Sequence, residues 1–444
     1  MPVIGETIRL CVERMAYGPE AIAHDDEGKV VFVQGGVPGD VVLAQVTQDS
    51  PTLSHATVTE VLEASPDRVA PHHDLTGLGG ACPWAALSRQ AQLAAKRDNV
   101  VSSLTRVGHF DAERAEAIVA PCEDPGPDWG YRNKAELVVS QEGGRFVLGM
   151  FDPLVGRVVR VDSFPLLPKR FSKLTHAVSG ALSYLSSSNS LSLERVGIRV
   201  SERTRDVEVS LWGPTGPFPR AQVAKVVRDA TKASSVVRVM TKGPMKARKV
   251  AGVERLTGAG SWSERIAGEL MRLSAPSFFQ VNTAGAERLV ELVMEALDPQ
   301  PDDEAMDLYC GAGTFTLPLA RRTGFVSAVE SYGPAVRDLR RNLERAGLDN
   351  VDAQGGDAGR EFPDTDADVI VVDPPRAGLA KDVVEQLSEQ PARAIAYVSC
   401  DPATLARDLA RFEEMGSFRP VRLTPVDLFP QTYHVETVCC LYRR

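Results

Sequence analysis

The chain has 444 residues, 43% hydrophobic and 25% charged, with a formal net charge of −9. That length exceeds what one hydrophobic core serves, so two or three domains are expected, and the composition excludes a disordered tether. No apolar run is long enough to span a bilayer, and the opening MPVIGETIRLCVERM lacks the basic-then-apolar layout of an export signal. A cytoplasmic chain with no membrane partner is therefore expected.

From Gly5 to about Glu63, short β-rich runs (TIRLCVERM, KVVFVQG, DVVLAQVTQ, HATVTEVLEA) alternate with turn signals such as VPGD. This pattern predicts a small OB-like β-barrel over residues 1–64, a platform that often carries oligonucleotides. Asp67 to Gly80 reads as a connector, and Ala85 to Val107 as an amphipathic helix ending at Gly108 that could pack on a later domain. Residues 65–275 are otherwise strand-like (AELVVS, RFVLGMF, RVGIRVS, DVEVSLW, SVVRVMT), with a helix at Pro168 to Ser186, and predict a mostly antiparallel β domain. Within it, Lys225 to Lys249 carries eight Lys or Arg against one Asp. A solvated surface strip and a polyanion-binding strip explain that run equally well, and a net acidic chain does not decide between them.

From Glu304 the strands AMDLY, FVSAVE, DVIVVD, AIAYVS and ETVCCLY alternate with longer helical segments, which predicts a doubly wound α/β sheet over 276–444. Ligands of such sheets sit at the carboxyl ends of the strands. The first strand runs into Asp307-Leu308-Tyr309-Cys310-Gly311-Ala312-Gly313-Thr314, ahead of a helix from Thr316 to Arg322. Gly311 and Gly313 would let the backbone approach a ligand at a helix N-terminus. Glu330, about 20 residues on, could accept hydrogen bonds from ribose hydroxyls, and Asp357 adds a further acid at the third strand's end. The third glycine of the dinucleotide fingerprint is missing, so the set fits S-adenosylmethionine better than NAD.

The fourth strand ends in Asp373-Pro374-Pro375-Arg376, a rigid turn that can hold a carboxylate against a planar substrate. Arg376 occupies the place where amino-directed adenine methylases put an aromatic. The fifth strand ends in Ser399-Cys400-Asp401-Pro402 ahead of a helix, a setting that lowers a thiol pKa and suits a nucleophile, although a lone cysteine is more often a small buried hydrophobe. Glu436 opens the last strand, where burying a carboxylate is costly unless it has a task such as general base.

The segments SFFQVN (Ser277 to Asn282), DLYCGAGTFTLPLA, VVDPPRAG, YVSCDPATLARDL and DLFPQTYHVETV occur in the order of the signature blocks of the RNA uracil-5-methyltransferase family. The C-terminal 40% or so of the chain resembles that family, and the N-terminal barrel resembles the TRAM domain of its ribosomal-RNA members. The resemblance implies a Rossmann-like methyltransferase fold with S-adenosylmethionine as cofactor. It makes Cys400 the nucleophile and Glu436 the base. Gln280, Tyr309, Gly311, Gly313, Thr314, Glu330, Asp357 and Asp373 fall where the family contacts cofactor, and Asp373, Phe278 and Gln280 where it contacts the base. Phe278 or Phe279 would stack on nucleotides or pack in the core.

Many relatives hold an iron–sulfur cluster on four cysteines. Here those blocks read Gly79-Gly80-Ala81-Cys82 and Ser163-Phe164-Pro165-Leu166, so only Cys82 remains. No cluster is expected, with apolar packing around Phe164 in its place. The seven cysteines are scattered and odd in number, which argues against a disulfide framework. Ribosomal RNA is expected ahead of transfer RNA, and a monomer ahead of an oligomer. The rival readings are a cytosine-5 RNA methyltransferase, whose cysteine would follow the fourth strand, and an RNA-binding factor without activity.

Overall fold

The computed structural model describes residues 4–73, 75, 78, 80–152, 156–186, 191–244 and 248–444. Gly79 and Lys246 lie outside them. The N-terminal runs form one six-stranded sheet from Thr7–Cys11 to Leu53–Glu63. Strict alternation in Val41–Asp49 turns Val42, Ala44 and Val46 inward, as a period of two requires. Trp84, beyond the barrel strands, completes the barrel's apolar interior and donates from Nε1 to the Gly18 carbonyl at 3.0 Å.

The helix expected from Ala85 begins later, as α1 (Arg89–Arg106). Ser88 is its N-cap, its hydroxyl accepting from Ala91 N at 3.2 Å, so Ala85 to Leu87 stay in a turn. Buried Lys96 on α1 pairs with buried Asp427 and donates to the Phe429 carbonyl at 3.1 Å, while Gln92 donates to Gln431 Oε1 at 3.0 Å. These bonds fasten α1 to the segment that precedes the last strand. Beyond it, residues Val119 and Glu123 bridge in parallel to Leu423 and Val426.

The central sheet has seven strands, Lys249–Gly258 at one edge and Arg157–Arg160 at the other. It is antiparallel except where Val207–Pro214 pairs in parallel with Ser235–Lys242, a connection made by the helix Arg220–Thr231. The helix expected from Pro168 divides into a 3₁₀ turn, Lys169–Phe171, and a helix, Leu174–Ser186. Cys82 is buried in this domain's core beside Phe164, Leu166 and Leu167.

The C-terminal part begins with α2 (Thr283–Leu297), β1 (Glu304–Leu308), α3 (Thr316–Ala320) and β2 (Phe325–Glu330). There follow α4 (Gly333–Ala346), β3 (Val351–Gly355), β4 (Val369–Val372), α5 (Lys381–Glu389), β5 (Ala394–Ser399), α6 (Pro402–Met415), β6 (Phe418–Val426) and β7 (Glu436–Arg443). The sheet order is β3-β2-β1-β4-β5-β7-β6, with only β7 antiparallel to its neighbours. Its central strands are buried on both faces (Val369 to Val372, Ala394 to Ser399), as a parallel sheet covered by helices must be. A hairpin of Trp262–Ile266 and Glu269–Leu273 packs on α2 and shares its core. Among the described residues no helix is long and apolar enough to cross a membrane.

Candidate active site

The strand ends of this sheet gather most of the residues singled out by the sequence. After β1 the chain turns sharply: Tyr309 has φ +64° and donates its N–H to the Val329 carbonyl at 2.9 Å, bending the loop over β2. Gly311 donates its N–H to Glu330 Oε2 at 3.0 Å, and the other oxygen of Glu330 accepts from Tyr332 N at 2.5 Å. The carboxylate at the end of β2 is thereby fixed beside the glycine loop. Thr314 is half-buried in the loop, and Asp357, exposed beyond β3, accepts from Gly359 N at 3.2 Å.

The two glycines have different reasons to be there. At Gly313 (φ +102°) a Cβ would lie 2.4 Å from Leu317 Cδ1 and 2.8 Å from Leu339 Cδ1. At Gly311 (φ +58°) a Cβ would meet nothing within 4 Å. Gly313→Ala should therefore destabilise the fold by about 2 kcal/mol or more, through overpacking and backbone strain together. Gly311→Ala should cost only about 1 kcal/mol of stability while still projecting a methyl group into the space above the loop. Urea unfolding set beside calorimetry with S-adenosylhomocysteine separates the two effects; unchanged affinity in Gly311→Ala would mean that no ligand approaches the loop there.

Cys400 leaves β5 one residue after the Ser399–Thr437 pair, which sets it opposite Glu436 at the start of β7. Asp401 caps α6 by accepting from Ala403 N and Thr404 N at 3.0 and 2.9 Å. The expectation of a lowered thiol pKa needs correction. Burial, with the carboxylates of Glu436 and Asp373 nearby, pushes the Cys400 thiol up to about 11, against which the Arg376 guanidinium works in the other direction. Burial and Asp373 likewise push Glu436 well above the carboxylate range, Asp373 rises to about 7, and Asp307 to about 8. The site is thus a cluster of acids held partly protonated, facing one thiol and one guanidinium.

Of the buried side-chain polar atoms that have no hydrogen-bond partner among the described residues, three belong to this region's acids and amide: Oε2 of Glu436, Oδ1 of Asp307 and Oε1 of Gln280. Each such atom costs about 1–3 kcal/mol when nothing engages it. Their presence around the glycine loop and the thiol is what a site shaped for cofactor and substrate would show. Gln280 is held by its main chain, whose carbonyl accepts from Asn133 Nδ2 at 2.8 Å. Phe279 is buried against Trp262, at a ring separation of 5.6 Å, whereas Phe278 is 65% exposed, so only Phe278 is free to stack on a ligand.

Several contributors escaped the sequence. The hydroxyl of Tyr17, from the N-terminal barrel, donates to the Cys400 carbonyl at 3.1 Å, and its ring meets Tyr433 edge-on at 5.7 Å. Nothing in the barrel's sequence signals this contact. Arg376 Nη2 lies 3.2 Å from His434 Nδ1, and burial together with that guanidinium brings His434 down to about 4, so the ring is neutral and can accept from the guanidinium. Asp408 on α6 accepts from Leu379 N at 2.8 Å and Tyr397 Oη at 2.9 Å, and so fixes the turn that carries Asp373 and Arg376. The described residues of the basic run from Lys225 to Lys249 form no single surface: Lys225, Arg228 and Lys232 lie by the helix Arg220–Thr231, Arg238 is buried against Phe218, and Lys249 sits at the far sheet edge.

The family model described as tRNA (Uracil-5-)-methyltransferase matches residues 265–355 and 357–444, and the TRAM domain model matches residues 3–59. The chain is 32% identical to the 23S rRNA (uracil(1939)-C(5))-methyltransferase RlmD of Methylococcus capsulatus, over 100% of this chain and 98% of that protein. It is 34% identical to an RNA methyltransferase of Streptomyces avermitilis, covering 99% and 98% of the two chains. Among solved structures, the tRNA (uracil-54, C5)-methyltransferase of Pyrococcus abyssi in complex with S-adenosyl-L-homocysteine shares the fold, with a TM-score of 0.76 and 24% identity over 98% of this chain and 100% of that one.

Proposed function

The chain belongs to the RNA uracil-5-methyltransferase family, and from that premise we propose that Cys400 and Glu436 carry its reaction on a uridine of large-subunit ribosomal RNA. The enzyme transfers a methyl group from S-adenosylmethionine to C5 of a uridine in RNA. The observation that carries the residue assignment is the strand register that sets Cys400 opposite Glu436, with Asp373 and Arg376 close to both.

C5 of uracil is a weak nucleophile, so the ring must be activated first. Cys400 Sγ, deprotonated beside Arg376, adds to C6; the electrons of the C5–C6 bond pass into the ring as an enolate, and C5 takes the methyl group. Glu436 then removes the C5 proton, and the electron pair left behind expels the Cys400 thiolate, restoring the double bond. Asp373 orients the ring. S-adenosylmethionine, when bound, supplies an electrophilic methyl group on a positively charged sulfur. Gly311, Gly313 and Thr314 would bring the loop's backbone close to it, Glu330 would hold its ribose, and Tyr309, Gln280 and Asp357 would line its remaining faces. The target base must leave any stack to reach Cys400, with Phe278 exposed to receive a neighbouring base. We place the domain limits at residues 1–64, 65–275 and 276–444, and read the enzyme as a cytoplasmic monomer without an iron–sulfur cluster.

The acid cluster gives this reading a pH signature. Raising the pH from 6 to 8 takes Asp373, at about 7, from mostly neutral to mostly charged, adding a negative charge that attracts the sulfonium but not the neutral product S-adenosylhomocysteine. Affinity for the cofactor relative to the product should rise by up to about tenfold across that window. Calorimetric titrations at both pH values measure it, and a flat ratio would remove Asp373 from the cofactor's surroundings.

Substrate choice is tested by mass-spectrometric nucleoside analysis of ribosomal and transfer RNA from cells lacking the protein. Loss of 5-methyluridine from 23S RNA supports the proposal. Loss confined to transfer RNA would redirect it, the reading suggested by the description of the matching family model.

A further inference from the structure

A cleft of about 1300 Å³ lies between the central domain and the C-terminal one, and neither Cys400, Glu436 nor Asp373 lines it, although Tyr332 at its border donates its N–H to Glu330. One wall is the edge strand Lys249–Gly258 of the central sheet, and the other is α4. Lys249 and Arg255 project from the first wall, Arg337, Arg341 and Arg345 from the second, and Arg272 from the hairpin between them. All six are exposed. Among the described residues five of them form no ion pair, and Arg341 reaches only Asp338 at 3.6 Å. The other oxygen of that carboxylate, Oδ2, accepts from Ser274 N and Oγ at 2.8 and 2.7 Å and from Ser277 Oγ at 2.5 Å, so Asp338 is shared between the serines and the arginine.

Several arginines elsewhere are neutralised, Arg288 by Glu123, Glu291 and Glu295, Arg393 by Asp303 and Arg203 by Glu287, whereas here the uncompensated ones are gathered into one groove. Like charges facing each other across a groove repel, so a cleft that concentrates them calls for a mobile anion. Their layout says which kind. Arg337, Arg341 and Arg345 recur every four residues, so their guanidinium groups climb α4 in steps of about 6 Å. A row of this sort follows a chain of phosphates, whereas a single phosphate would need the groups to converge on one point. Tyr332, 40% exposed, lies in the cleft with Pro276 and Pro334, and together they offer flat apolar surface to a base.

We propose that this cleft is a second RNA-binding site, which holds the phosphodiester backbone of the substrate at a distance from the target uridine. The proposal rests on the reading of the protein as an RNA methyltransferase. It gives the enzyme a way to select a folded RNA by its shape, since two points of contact on separate domains must both be met.

The test uses the full-length protein, a labelled 23S RNA fragment that the wild type methylates, and the triple variant Arg337→Gln/Arg341→Gln/Arg345→Gln. Affinity is read by fluorescence anisotropy from 50 to 300 mM salt. Three lost phosphate contacts should flatten the plot of log K against log salt by about 2–3 units, at about 0.7–0.9 per contact, and weaken binding at least about tenfold at 150 mM. Binding of S-adenosylhomocysteine should stay unchanged, which shows that the variant is folded. Arg255→Gln on the opposite wall should lower the slope by about one contact's worth. Wild-type slope and affinity in these variants would overturn the proposal and leave the cleft to an acidic protein surface. A wild-type protein that neither binds nor methylates any RNA fragment would instead overturn the enzymatic reading beneath it.

Discussion

Cys400→Ala should abolish formation of 5-methyluridine, lowering turnover by at least about 10⁴-fold, the scale on which enzymes lose activity when a covalent nucleophile is removed. Without the sulfur no enolate forms and C5 cannot compete for the methyl group. The variant should still bind S-adenosylhomocysteine, because the thiol is no part of the glycine loop. On RNA containing 5-fluorouridine the wild type should form an adduct that survives denaturing gels, since fluorine at C5 cannot leave as a proton. The alanine variant should form none. Adduct formation by Cys400→Ala would move the nucleophile to another residue. The position of the thiol pKa adds a rate signature: with Cys400 at about 11, the reactive anion is scarce at pH 7, and kcat/KM should climb with pH between 7 and 9.

Glu436→Gln should reduce turnover by about 10²–10⁴-fold, the range lost with a general base, and should do so differently. Addition to C6 and methyl transfer do not need this carboxylate. Proton removal does. The glutamine enzyme should therefore accumulate a covalent complex with ordinary uridine-containing RNA, methylated at C5 and unable to release. Mass spectrometry of the adduct should show the added methyl group, and its absence would place Glu436 before methyl transfer. Because burial and Asp373 hold Glu436 well above the usual carboxylate range, acidification should cost the wild type its activity at a higher pH than protonation of an ordinary carboxylate would.

The parts of the site that could be read in the sequence are those set by contiguous motifs at strand ends. In a parallel sheet such ends are forced to one edge, so glycine loop, DPPR turn, Cys400 and Glu436 converge once the strands are recognised. Environment was harder. The cysteine's place before a helix suggested an activated thiol, but burial, reinforced by two carboxylates brought in from β4 and β7, pushes it the other way. Charge was harder still. The described part of the run from Lys225 to Lys249 is dispersed by helix and strand periodicity, while the basic cleft draws on three separate elements and takes only the end of that run. The limits of α1 shifted because Ser88 can cap and Ala85 cannot.

The bond from Tyr17 to the Cys400 carbonyl joins residues 383 positions apart. During synthesis the barrel precedes this loop and can close around its own valines, yet the loop it steadies is made only 383 residues later. The same delay applies to Lys96, whose charge has no buried carboxylate to meet until Asp427 appears. Domains made in sequence order usually fold in that order. Here the C-terminal part supplies the clasp for the N-terminal one, so a chain cut short before Cys400 lacks both its fastening and its chemistry.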